Sequence, residues 1–371
     1  MRALQKLTIP RSKYGAEHNS LFQRILIGTS IKLQAQGELS FTRRFVTIAH
    51  ESAFRAFIAA AAFAVAGCYA GPGVSGSFDK TFTVSGHTRL ELSNPSGDVE
   101  VTGSADGQVH VHGDVRARGI GFDKPQERLN ETLANPGIEQ RGDTIRVGKH
   151  FSNMRNLTIA YRIEVPHDTE MNLSVVSGAL HIRNVRGPIT TQGASGAIRA
   201  EQIERDAQLT SMSGSVEASD VGGDVRASSA SGELTINNAK GDVRAHSLSG
   251  SVKVVNPGGR VEADDASGSI DIEGAKFDAK AHDVSGEVII RGDPGEHGYW
   301  DLKTVSGSVK VYVPSTSNFR FAADAISGEI RADIPIVIEE QGKHSLRAHV
   351  GNGGGRVEVR TVSGEIHVSG N

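Results

Sequence analysis

Ser-Gly pairs begin at Ser177, Ser195, Ser213, Ser231, Ser249, Ser267 and Ser285, six successive intervals of 18 residues. Two intervals of 21 lead on to Ser306 and Ser327, and one of 36 to Ser363. A ladder of this kind is the mark of a repeat architecture, in which one small unit stacks on copies of itself. With Ser as position 0, position 3 is aliphatic throughout: Leu180, Ile198, Val216, Leu234, Val252, Ile270, Val288. Position 5 is aliphatic or Ala, as in Ile182, Ala200, Ala218 and Ile236. The pattern recurs nine residues later in Val225/Ala227, Val243/Ala245 and Val261/Ala263, so each unit is two similar halves.

Within each half the apolar period is 2, which specifies strand and not helix. Inward positions are expected at −1, 1, 3 and 5, and after a slip of phase at 8, 10, 12 and 14. That slip predicts corners at positions 6–7 and 15–16, where turn formers such as Asn237-Asn238 and Ser228-Ser229 stand. Gly at an inward position marks a close backbone approach or a kink. Two strands per 18-residue turn cannot bury a face alone, but stacked turns build a continuous core. The expected fold is therefore all-β: a parallel β-solenoid of about ten coils and on the order of 50 Å, right-handed because parallel crossovers take that hand. Its last repeat, ending Val368-Ser369-Gly370-Asn371, shows no evident cap against edge pairing.

Residues 76–175 contain strand patterns without the ruler, such as TRLELSN, DVEVTG, QVHVHG and LTIAYRIEVP. A Pro at 125 opens a short helical pattern carrying Leu129 and Leu133. This stretch is expected to form a β-rich N-terminal cap, with the solenoid domain over 176–371.

Composition narrows the partners. Gly reaches 44 of 371 residues, about 12%, while aromatics are only 5%; the usual Gly share is roughly 7%. A single Cys excludes a disulfide scaffold. Residues 1–68 hold nine basic and three acidic residues, and the remainder 31 basic and 40 acidic. An acidic body excludes nucleic acid as the main partner, because phosphate neutralisation needs a basic face.

The lone Cys68 closes an uncharged run, FIAAAAFAVAG, that follows Arg55. The run has the length of a signal-peptide apolar region and is too short to span a bilayer. Val65-Ala66-Gly67-Cys68 resembles a bacterial lipobox, whose Cys takes a diacylglycerol and becomes the new N-terminus. Tyr69, in place of Asp, points to the outer membrane. The expected order is an upstream extension over 1–45, a signal peptide over 46–67, a lipidated N-terminus and linker over 68–75, then the cap and solenoid. No Met lies between Met1 and Met154, so translation from a non-AUG codon near Val46 fits this order.

SGDVEV, a strand ending IEVP, and the repeated SGSVKV, SGEVII and SGEIRA together resemble a bacterial family of unknown function named as putative adhesins. The resemblance covers roughly residues 80–371. It implies an exported β-helical protein, in some members tied to envelope stress, and supplies no catalytic residues. Fold alone does not fix function.

Asp206, Asp224 and Asp242 share position 11 and should stack one strand spacing apart, either as a Ca²⁺-binding column or as a solvated turn. His110 and His112 flank Val111 on one face without a third ligand nearby, so no metal site is assigned. Glu233, Glu287, Glu329 and Glu365 share position 2, which marks a repeat constraint and not a catalytic pair. No cofactor motif occurs. The segment RGDPGEHGYWDLK breaks the ruler, and Tyr299 and Trp300 beside a Gly/Pro-rich loop are candidate contact residues for a glycan or an envelope protein; the other reading places Trp300 in the core. Three functions remain: a non-enzymatic, lipid-anchored adhesin or envelope scaffold, an envelope-stress sensor, and a glycan-active enzyme, the first fitting best.

Overall fold

The computed structural model describes residues 73–119, 124–148 and 156–370. They form an all-β structure with one helix, built on a large and mostly parallel sheet. The stretch expected to be a signal peptide, 46–67, and Cys68 lie outside the described residues.

Each residue of the central ladder pairs with the one eighteen positions later. On one face Ile189 stands beside Ala207, then Val225, Val243, Val261 and Ala279. On the other, Leu180 stands beside Ile198, Val216, Leu234, Val252 and Ile270. These are the columns expected at positions 12 and 3, and all of their side chains are buried. The two faces pack together as a thin core of Val, Ile, Leu and Ala, with Ala at 200, 218, 227, 245, 263 and 281.

The two corners differ in construction. At position 7, Asn184, Gln202, Asp220, Asn238 and Asn256 all adopt left-handed backbone with φ between 51° and 59°. A left-handed residue breaks the alternation of the strand, so position 8 (Val185, Ile203, Val221, Ala239) turns inward again. This is the corner expected at 6–7. The second corner is displaced from positions 15–16 to the Ser-Gly pair itself. Strands Val261–Ala275 and Ala279–Gly292 run unbroken through it. Position 16 points inward, so position −1 points out, reversing the expectation for that residue: Val176, Met212, Leu248 and Val284 are exposed. The Gly makes the bend possible at close stacking, since a Cβ on Gly232 would meet the carbonyl of Gly214, and one on Gly250 that of Gly232.

The ladder begins earlier than the ruler suggested. Leu90 pairs with Met171, Val99 with Leu180 and Ser96 with Ser177, all in parallel, so Ser96-Gly97 is a Ser-Gly corner of the same stack. An excursion separates the two. It supplies the hairpin Ile138–Arg141/Thr144–Val147, which pairs with Arg89–Ser96 and covers one face. Across the other face, Leu157–Pro166 pairs in parallel with Val99–Ser104, and Gln108–Ala117 and then Val74–Thr83 follow antiparallel. The helix Pro125–Ala134 packs on the last two strands through Leu129, with Leu133 partly buried.

The C-terminal repeat is not an open end. Strand Gly355–Ser363 inserts between Tyr299–Ser306 and Phe319–Ser327, and Ile366–Gly370 between Val309–Val313 and Ile330–Ala332. The outermost coil is thus an earlier stretch of chain. On one face it is covered by the antiparallel strands Ser345–Val350 and Val337–Gln341, which supply an edge cover the sequence reading did not find.

Candidate functional site

The left-handed corner carries a groove. Asn184, Gln202, Asp220, Asn238 and Asn256 are exposed along it, one per coil. Asn238 Nδ2 donates to Asp220 Oδ1 (3.0 Å), and Asn256 Nδ2 donates to Asn238 Oδ1 (3.3 Å). Short amide side chains tolerate the left-handed backbone that the corner demands. The same side chains then present a file of paired donors and acceptors at strand spacing. A recess of about 590 Å³ follows this file and is bounded on one side by Glu204, Lys240 and Gly258.

Gly258 also borders a second cleft, of about 510 Å³, so the two adjoin at this residue. Here the ruler lengthens to 21, and the added residues make an overhang at 293–298. Asp293 Oδ1 accepts the backbone N–H of Gly295 (3.0 Å), and Gly295 takes a positive φ of 63°. Gly355 N–H donates to the Gly295 carbonyl (2.8 Å) and Arg356 N–H to the Gly298 carbonyl (2.9 Å), so the overhang is tied to a neighbouring coil. Opposite it stand Arg260, Lys276 and Phe277. The Phe277 ring is 51% exposed, an aromatic face held open to solvent on a rigid edge. Lys276, Glu296 and His297 are exposed and make no ion pair with another described side chain.

The residues singled out in the sequence take distinct places around this cleft. Trp300 is fully buried in the position-12 column beside Ala279, and its indole N–H donates to the Phe277 carbonyl at 2.8 Å. It therefore supports the cleft from within and offers no ring to a ligand. Tyr299 is half-buried; its hydroxyl donates to Glu358 Oε2 (3.0 Å), and Arg356 lies 5.9 Å from its ring centre. Burial and the Glu358 carboxylate both hold its hydroxyl above the usual phenol range. Phe277, which the sequence reading passed over, is the exposed aromatic. The available signal was its position: it precedes Asp278 in the position-11 column, at a corner where most coils carry small or charged residues.

The aspartate column lies at a partly solvated turn, where its side chains link successive coils. Asp206 Oδ1 accepts the Asp224 N–H (2.9 Å), Asp224 Oδ1 accepts the Asp242 N–H (3.0 Å), and Asp242 Oδ1 accepts the Arg260 N–H (2.9 Å). Asp278 Oδ1 takes the Tyr299 N–H in the same manner (2.9 Å). Each carboxylate satisfies a donor of the next coil, and Asp242 and Asp278 line the second cleft. The Arg260 backbone N–H and guanidinium hold the Asp242 carboxyl below the ordinary carboxylate range. His110 and His112 are likewise engaged, His110 by Thr81 and Asp106, and His112 by Asp79 and Asp114. Among the described residues no group of three or more His, Cys, Asp or Glu side chains is placed to hold a metal ion. The Glu287 carboxylate of position 2 takes Lys310 and Ser308, and that of Glu329 takes Arg331.

Comparisons with known proteins follow this geometry. No curated protein matches the chain. Two solved structures align with it. A "putative cell adhesion protein" from Clostridium sporogenes is 11% identical, over 80% of this chain and 100% of that one, with a TM-score of 0.20. A "putative adhesin" from Bacteroides fragilis is 14% identical, over 79% of this chain and 97% of that one, with a TM-score of 0.30. The Toastrack DUF4097 family model matches residues 87–288 and 260–369, which together take in the whole ladder from Arg89 to Val368. The chain belongs to the Toastrack DUF4097 family.

Proposed function

We propose that the protein is a non-enzymatic adhesin-type scaffold of the bacterial envelope that holds an extended glycan along its left-handed corner. The observation that carries this reading is the pair of adjoining clefts along the left-handed corner, where four amides and the Asp220 carboxylate stand in file and the exposed Phe277 ring lies beyond them. Sugars present one hydroxylated edge and one apolar face. Amides serve the first as both donor and acceptor, and an aromatic ring serves the second. The rigid ladder fixes these groups before the ligand arrives, which lowers the ordering cost of binding.

In this reading a signal peptide over 46–67 exports the chain, and Cys68 carries the lipid that anchors it in the outer membrane. A lipid chain with a second signal suits stable anchoring. The coil is right-handed, as parallel crossovers favour, with the β-rich region over 76–175 nearest the anchor and the groove displayed beyond it.

A deletion strain tests the role. It should lose attachment to a glycan-bearing surface and regain it with the wild-type gene but not with Phe277→Ala. A deletant that attaches as well as the parent, while a stress reporter changes, would instead make the protein an envelope-stress sensor.

A further inference from the structure

The opposite corner carries a surface of another kind. Position −1 places Val176, Ala194, Met212, Ala230, Leu248, Ala266, Val284 and Val305 in one file along the Ser-Gly edge, continued by Val362 and Ile326. The seven larger side chains are between 42% and 72% exposed. From Val176 to Val284 large and small residues alternate coil by coil, so the ridge has knobs roughly 10 Å apart with an Ala gap between each pair. Around its first half the edge is nearly without charge. Residues 174–179, 192–197, 210–215 and 228–232 contain none, in a chain that is 22% charged. Scattered surface apolar residues are ordinary, whereas a contiguous file of them marks an interaction site.

We infer that this edge is the contact between two copies of the chain, packed side by side and antiparallel. Two observations favour a second copy over another occupant. The ridge is complementary to itself: an antiparallel copy in the register that sets Leu248 opposite Ala230 also sets Met212 opposite Ala266 and Val284 opposite Ala194, so these three knobs enter gaps, while Val176 meets Val305 at each end of the contact. A parallel copy would set Leu248 against Leu248 and Glu287 against Glu287, opposing knobs and like charges. The antiparallel register also keeps Glu287 and Lys303 apart from their own copies by setting them against the uncharged coils. In this register eight coils overlap, so the contact is about 34 Å long and roughly 10 Å wide and buries on the order of 700 Å² in the pair, the size of a weak, transient association. Both grooves face away from this contact, so a dimer presents two ligand sites on opposite sides.

Sedimentation velocity of the full chain across a concentration series is the test, with Met212→Glu/Leu248→Glu beside it. The wild type should show a reversible monomer–dimer equilibrium, and the double variant a dissociation constant raised at least tenfold. Met212→Ala/Leu248→Ala, which carries the residue the alternate coils already have, should weaken the dimer with an unchanged melting curve. A wild type that stays monomeric to about 100 μM, or Glu and Ala variants that associate as the wild type does, would overturn the inference. Vesicles of phosphatidylethanolamine and phosphatidylglycerol complete the set. Binding to them by a monomeric wild type, lost in the Glu variant, would assign the ridge to a lipid surface and refute the dimer.

Discussion

The indole N–H of Trp300 and the carbonyl of Phe277 meet at 2.8 Å, across 23 residues of chain and one corner of the solenoid. This bond makes the core residue the support of the exposed one. Trp300→Phe keeps most of the buried ring area but leaves the Phe277 carbonyl without this donor. A loss of about 0.5–1.5 kcal/mol is expected, the net worth of one hydrogen bond, read as a lower denaturant midpoint. Phe277→Ala, at an exposed ring, should change stability by no more than about 0.5 kcal/mol.

The aspartate column gives a prediction with a sign in pH. Asp242→Ala removes the acceptor for the Arg260 N–H and should cost about 1–2 kcal/mol at pH 7. The folded-state Asp242 carboxyl lies below its unfolded value. Its contribution is therefore present above the ordinary carboxylate range and is lost as pH falls through the lowered value. Urea melts of wild type and variant should converge as pH is lowered below about 3.

Asp265 and Asp283 predict the reverse. Both are buried at position 16, each keeps one carboxylate oxygen without a partner, and burial holds both above the usual range, with Asp265 adding to the effect at Asp283. The same column carries Ser211, Ser229 and Ser247 in earlier coils. Asp283→Ser should therefore stabilise the fold at neutral pH by about 1 kcal/mol. The penalty being removed grows as pH rises from the ordinary carboxylate range through the raised value. The gain should be full at pH 7 and vanish near pH 3, as differential scanning calorimetry would show.

At the Ser-Gly corner, Gly232→Ala places a Cβ against the Gly214 carbonyl of the preceding coil. An interior contact of that kind costs about 1–3 kcal/mol. At the other corner Asn238, with φ of 55°, should accept Gly with little change. Asn238→Val should cost about 1–2 kcal/mol, the penalty of a left-handed residue. Thermal melts of the three variants check both corners together.

Much of this architecture is legible in the sequence because stacking forces chemically equivalent residues into one column. The aliphatic columns at positions 3 and 12, and the corner at position 7, follow from period and turn chemistry. The displaced second corner does not, because Gly268 and Gly286 bend extended strands without any turn residue. A corner at 15–16 would point Val176 and Met212 inward; the corner at the Ser-Gly pair turns them out into the apolar ridge. The ladder's start at Ser96 was obscured by the long excursion before Ser177, and the insertion of Gly355–Ser363 between two earlier strands leaves no local signal. For the candidate site, the ruler's break at 293–298 marks the overhang that bounds the second cleft. Trp300 beside it is buried, whereas the exposed ring, Phe277, is one coil earlier and is brought to the cleft only by the stacking.

The central claim is that the groove holds a glycan, and the direct measurement is binding of the purified full chain to an array of bacterial and host glycans, with Phe277→Ala alongside. The account predicts that the wild type retains a defined set of glycans and that the variant, with the same melting temperature, binds them at least tenfold more weakly. Retention of none by the wild type, or equal retention by both proteins, would contradict it.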